Sequence, residues 1–392
     1  MNASLAVRIG VTVVALWLGV QAWVHQTDRA CRLGEWPPLL QCAGAWSQDP
    51  AQQAQRLQER LRRNPGDAHA TVGLAELAAV LPQALDPDQT LQAAQRLAPQ
   101  HGQVLLLQAN RAITARQWPQ AVPALTRLAV YHRNTSAAMT LAQMIGVAAT
   151  DPALQASLQQ ALAVTPGWLQ PVIPRMPDAK MPVVLAMPYV SEAMASGNLD
   201  TPTGRQLIRL LKAEGQWLDA YSVWLYLWKR PVDLLFNGDF EQPFVAGGFD
   251  WEAGQTQAFR AGAQVQRSGR GNRGQVLEVT FSGKAMAPYV VRQDLLLSPG
   301  RYRFDGEFLA SELRTAQGLV WAVRCASDGR EVARTAPMLP KGRDWQTWQL
   351  VFEFPFDCGL GGTLELKPQA AYESVAGMKG EVLFDRLRME RQ

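Results

Sequence analysis

The sequence predicts a multidomain chain, α plus all-β: an N-terminal membrane helix, an α-solenoid of helical repeats and a C-terminal antiparallel β-sandwich of jelly-roll type. Three observations predict it. An uncharged apolar run stands near the N-terminus, similar turn sequences recur every 33–34 residues through the middle, and from about residue 234 apolar and polar residues alternate. The 392 residues leave room for two or three folded units. The formal net charge of +4 is small and no long Lys/Arg block occurs, so the basic footprint of a nucleic-acid binder is missing.

Ile9 to Val24 carries no charge, and Arg8 with the amino terminus makes its start positive. The run is near the lower limit of the ~17–25 residues that span a bilayer, and Leu5 to Val24 reaches across if Arg8 snorkels. Residues 1–27 are thus expected to be a signal-anchor and 28–49 a periplasmic linker, in a single-pass protein of the bacterial inner membrane with its bulk in the periplasm. Val20-Gln21-Ala22 also has the small residues of a cleavage site, so secretion after cleavage near Ala22 stays open. Both readings place the rest of the chain where disulfides form. Cys31 with Cys42, and Cys325 with Cys358, are the expected pairs; four buried thiols are the alternative. No C-x-x-C occurs, which speaks against a zinc ribbon or thioredoxin-type motif.

Between residues 50 and 166 the turns Asn64-Pro65-Gly66-Asp67, Ala98-Pro99-Gln100-His101, Arg133-Asn134-Thr135 and Thr165-Pro166-Gly167 recur. Pro65 to Pro99 and Pro99 to Arg133 are each 34 residues, and Arg133 to Pro166 is 33. That is the period of paired-helix repeats, in which each pair leaves an apolar face that only the next pair can cover.

The unit from Gly102 to Arg133 resembles the tetratricopeptide repeat family, with Leu105, Ala109 and Ala112 in the first helix and Ala121, Leu125 and Leu128 in the second. The preceding unit matches at Leu74, Ala75, Ala78, Leu91, Ala94 and Pro99. Pro87 stands where the family has a small helical residue, so its second helix is expected to start late. A third unit keeps Met139, Ala142, Leu154, Leu158 and Leu162, and Gly146 and Gln155 make it degenerate. The resemblance implies an extended concave surface for a protein partner.

Pro166, Pro171, Pro174, Pro177, Pro182 and Pro188 make residues 167–202 an expected linker or irregular crossover. Helical periodicity returns over 203–233, where Gly215-Gln216-Trp217 echoes Arg116-Gln117-Trp118. This hairpin is expected to cap the solenoid or dock the next domain, with Tyr221, Trp224, Tyr226 and Trp228 used in packing or, alternatively, as a partner surface.

From 234 to 392 the alternating sets are Leu277/Val279/Phe281, Tyr302/Phe304/Phe308, Leu319/Trp321/Val323/Cys325 and Trp348/Leu350/Phe352/Phe354. Turn sequences such as Ser298-Pro299-Gly300 and Ser327-Asp328-Gly329 separate them, so two face-to-face antiparallel sheets are expected. The opening Phe236-Asn237-Gly238-Asp239-Phe240-Glu241 with Phe249-Asp250-Trp251, and the closing Val382-Leu383-Phe384-Asp385-Arg386-Leu387, resemble the first and last strands of carbohydrate-binding-module jelly rolls. That resemblance implies a structural calcium with Glu241 and Asp385 as ligands. Arg386 departs from the family's second Asp, and a solvated strand end is the alternative. Trp251, Tyr289, Trp345 and Trp348 are the candidate sugar contacts, against the commoner use of strand aromatics in a core.

Known reaction motifs are missing. His25, His69, His101 and His132 form no metal-ligand spacing, and Gly269 to Gly274 satisfies G-x-G-x-x-G between two strand-like segments, as a hairpin loop would. The chain is therefore expected not to be an enzyme and to need no cofactor beyond that calcium. The combination of parts resembles accessory proteins of bacterial exopolysaccharide export and implies a membrane-anchored periplasmic scaffold that binds a protein through its repeats. A glycan-binding protein whose helical region is a spacer, and a polysaccharide-modifying enzyme, are the alternatives.

Overall fold

A computed structural model describes residues 49–392 except 230–232, 246, 254–261, 271–272, 311 and 341–342. The apolar segment 9–24, the Val20-Gln21-Ala22 site and the Cys31–Cys42 pair lie outside the described residues. Among those described, no helix is long and apolar enough to cross a membrane. The chain divides into two compact units, one through Gln117 and one from Trp118.

The first unit contains α1 (Pro50–Arg63), α2 (Ala68–Ala78), α3 (Pro87–Leu97) and α4 (Gly102–Thr114). The recurring turns supply the caps that start these helices. Asp67 accepts the backbone N–H of Ala70 and pairs with Arg60 at 2.8 Å, and His101 Nδ1 accepts the N–H of Gln103. Asp86 caps α3, and Pro87 occupies its first turn, where the missing N–H costs no bond; the helix starts late, as its proline requires. Ala70, Ala78, Ala94, Ala109 and Ala112 are buried, the small side chains that let helices approach.

The second unit begins with α5 (Trp118–Tyr131), α6 (Thr135–Ala148) and α7 (Pro152–Val164). Asn134 and Asp151 cap α6 and α7, and Asp151 also accepts the indole N–H of Trp118 at 2.9 Å. The helical region expected over 50–166 is thus present. Residues 167–202, expected to be a linker or an irregular crossover, are folded as a series of short pieces. They form α8 (Leu169–Val172), two 3-10 turns (Ile173–Arg175 and Val183–Ala186) and α9 (Met187–Ala195), and Trp168, Ile173, Met176, Val183 and Val190 are buried. Short helices accommodate this proline density because Pro174 and Pro188 sit in first turns, which need no N–H donor. Gly146, read as a sign of degeneracy, makes room for the Met181 side chain.

Helices α10 (Thr201–Ala213) and α11 (Trp217–Trp228) form the expected hairpin, and it docks on the β-region. Trp217 and Tyr221 meet Phe249 edge-on at 5.9 and 5.0 Å, and Trp224 and Trp228 meet Phe236 at 5.1 and 4.6 Å. Lys212 Nζ is 2.5 Å from Asp294 and donates to the carbonyl of Gly248 at 2.8 Å.

The β-region has strands β1 (Trp251–Ala253), β2 (Ala263–Ser268), β3 (Val276–Ser282), β4 (Val291–Leu296), β5 (Gly300–Leu309), β6 (Leu319–Cys325), β7 (Glu331–Arg334), β8 (Gln346–Phe354), β9 (Gly361–Pro368) and β10 (Lys379–Arg391), with a short α12 (Ala371–Ala376) between the last two. They form two antiparallel five-stranded sheets, one ordered β1-β4-β9-β6-β7 and one β2-β3-β10-β5-β8. The alternating sets read from the sequence point inward and join one core in which Trp251, Phe304, Trp321 and Phe384 are buried. The Cys325–Cys358 disulfide is present and ties the end of β6 to the turn before β9.

Candidate functional site

Because side chains alternate along a strand, filling the core fixes what the other face carries. On the first sheet Val291, Gln293, Leu295, Trp321, Val323, Leu364 and Leu366 are buried. The outward set on β1, β4 and β9 is therefore mostly polar, while Val320 and Ala322 of β6, outward by parity, are apolar and buried. Registers align Glu252 with Arg292, Arg292 with Glu365, Glu365 with Ala322 and Ala322 with Arg334, one row crossing all five strands. The next row carries Asp294, Thr363, Arg324 and Glu331.

Most charges on this face are held by partners. Arg292 donates to Glu252 at 2.7 Å, Lys367 and Arg334 each meet Glu331 at 2.5 Å, and Thr363 donates to Asp294 at 3.3 Å. Burial pulls the Arg292 pKa down, but its bond to Glu252 outweighs that and the net shift is upward. Burial pushes Glu331 up, and Lys367 with Arg334 brings it below the ordinary value. Tyr289, two residues before β4, is half-buried, and the Arg292 guanidinium lies 5.1 Å from its ring centroid.

Glu365 differs from its neighbours. It stands on β9 near the middle of the face with 15% of its side chain exposed, and its nearest cation, Arg324 Nε, is 3.8 Å away. Burial raises its pKa against the opposing pull of Arg324, Arg292 and Lys367. A carboxylate so placed can accept a hydrogen bond from a bound hydroxyl.

The four aromatics expected to contact sugar are dispersed. Trp251 is in the core, its indole N–H bonded to the carbonyl of Asn237 at 3.0 Å, so packing claims it. Trp348 points inward against Phe304 at 4.6 Å. Trp345, half-buried, precedes β8 of the other sheet and carries the Arg273 guanidinium at 4.8 Å, while Arg273 pairs with Glu307. Tyr289 alone of the four borders the polar row. Sequence reading missed Arg292 and Glu365; their outward parity on strands with apolar inward neighbours was the available signal.

Glu241 accepts the N–H of Gln275 at 2.9 Å, and the buried Asp385 accepts the N–H of Arg386 at 2.7 Å. Burial raises the Asp385 pKa, with Arg386 and Arg273 opposing. Among the described residues no three His, Cys, Asp or Glu side chains gather as a metal set. The two carboxylates do not by themselves fit calcium's six to eight oxygens.

No protein-family model and no curated protein matches the chain. Solved structures do match it over the sandwich. A CBM4 module is 16% identical with a TM-score of 0.31, over 40% of this chain and 99% of its own. The CBM22-1 xylan-binding domain from Paenibacillus barcinonensis Xyn10C is 16% identical with a TM-score of 0.26, over 39% and 91%. The enzymatically active domain of a bacteriophage CBA120 tailspike is 15% identical with a TM-score of 0.28, over 41% and 22%.

Proposed function

We propose that the protein binds glycan, using the outer face of the β1-β4-β9-β6-β7 sheet, with its helices as a spacer at the bacterial envelope. The observation that carries this is Glu365: an outward, partly buried acceptor between Tyr289–Arg292 on one side and Arg324 on the other. Sugars are held by planar polar groups at fixed spacing and by an aromatic ring face, and paired arginines and carboxylates on adjacent strands supply the first. Tyr289 supplies the second. Acidic and basic groups balance along the rows, so the face offers no surplus charge to an ionic polymer, and a neutral chain fits best. The scaffold reading rests on the repeat pattern alone and has no comparable set of residues.

Affinity electrophoresis of the full chain in gels containing neutral or uronate-bearing polysaccharides tests the proposal. Retardation by a neutral polymer is expected, reduced about tenfold or more by Tyr289→Ala and by Glu365→Ala, as loss of a stacking or hydrogen-bonding group predicts. Retardation untouched by either variant, or absent from every gel, would sink it.

A further inference from the structure

A second recess lies where α11 meets the sandwich. Tyr221, Trp224, Phe236 and Phe249 wall it and Asp233 and Asp294 stand on its lining, around a cavity of about 80 Å³. The rings meet at steep angles: Tyr221 to Phe249 at 87° and Trp224 to Phe236 at 90°. Edge-to-face packing turns ring faces in several directions, and each face carries the negative lobe of an aromatic quadrupole.

These surroundings already stabilise one ammonium group. Lys212 Nζ lies 5.4 Å from the Phe249 ring and 5.9 Å from Trp217 while bonded to Asp294. That pairing neutralises Asp294 and leaves Asp233. Asp233 is exposed, makes no ion pair with a described residue and shares the lining with Tyr221, whose pKa is raised first by burial and then by the Asp233 charge. The recess thus combines aromatic side chains with one carboxylate that no cation among the described residues pairs. An anion is repelled by both; a neutral apolar guest uses only the rings; a cation with a small apolar shell uses everything present.

We infer that this recess binds an organic ammonium group, carried either by a small quaternary amine or by an amino sugar. The inference uses other aromatic side chains than the Tyr289 face, with Asp294 bordering both.

Calorimetric titration of the full chain at constant ionic strength tests it. The probes are choline, its uncharged carbon isostere 3,3-dimethylbutan-1-ol, glucosamine and glucose. Choline or glucosamine is expected to bind with a Kd on the order of 1 mM, about tenfold or more tighter than its neutral counterpart. Which of the two binds tells the source of the ammonium group. Asp233→Asn should weaken binding about fivefold, since it removes the mouth's charge at an exposed position, with an unchanged melting temperature. Tyr289→Ala should leave choline binding intact, so failure of the glycan reading and failure of this one are separable. Equal affinity for charged and neutral probes, no effect of Asp233→Asn, or no saturable binding would overturn the inference.

Discussion

The helices before Gln117 bury alanines among leucines and valines, whereas the sandwich is filled by aromatic side chains. Ala70, Ala78, Ala94, Ala109 and Ala112 are buried in the first, whereas Trp251, Phe304, Trp321, Phe354 and Phe384 fill the second. The difference follows from spacing. Helices pack closest where side chains are smallest, and facing sheets stand about 10 Å apart and need large residues to fill the gap. One region therefore tolerates no added volume and the other no lost volume.

The largest effect should come from removing volume in the sandwich. Trp321 is fully buried against Trp251, Phe304 and Phe384. Trp321→Ala should cost about 3–5 kcal/mol, read as a lowered sandwich transition in scanning calorimetry. Adding volume among the helices comes next. Ala109→Leu should cost about 1–3 kcal/mol through overpacking, and a tolerated leucine would break the comparison. If the two compact units melt separately, the two variants should shift different transitions, which sharpens the contrast.

The smallest effect concerns the polar face, where binding chemistry and stability oppose each other. Burial raises the Glu365 pKa in the folded state. Such a group contributes stability that is complete below its unfolded value and lost as pH rises through the folded value. Glu365→Gln removes that loss, so it should stabilise the chain by up to about 1 kcal/mol at neutral pH, with the difference vanishing near pH 4. Denaturant melts across that range check the sign. A variant less stable than the parent at pH 7 would show that Arg324 more than compensates the buried charge.

Much of the architecture was readable because it is periodic. The 34-residue spacing located the helical region through its caps at Asp67, His101 and Asn134, and the period-two sets located inward faces such as Leu319, Trp321, Val323 and Cys325. The proline-rich stretch left linker and irregular crossover both open, because proline density says nothing about position within a turn, and Pro174 and Pro188 occupy permitted ones. Among the candidate site residues, aromatic identity was a poor guide. Trp251 and Trp348 serve the core, and only Tyr289 borders the polar row.

Sequence alone determined the inward faces of the periodic strands and the starts of the capped repeat helices, since parity and capping are properties of a few neighbouring residues. Tertiary structure decided that Arg292 of β4, Glu365 of β9 and Arg324 of β6 share a face, and that α11 closes its aromatics over Phe236 and Phe249. Strand order and register are set by how distant segments fill one core, and no local pattern along the chain encodes which of them become neighbours.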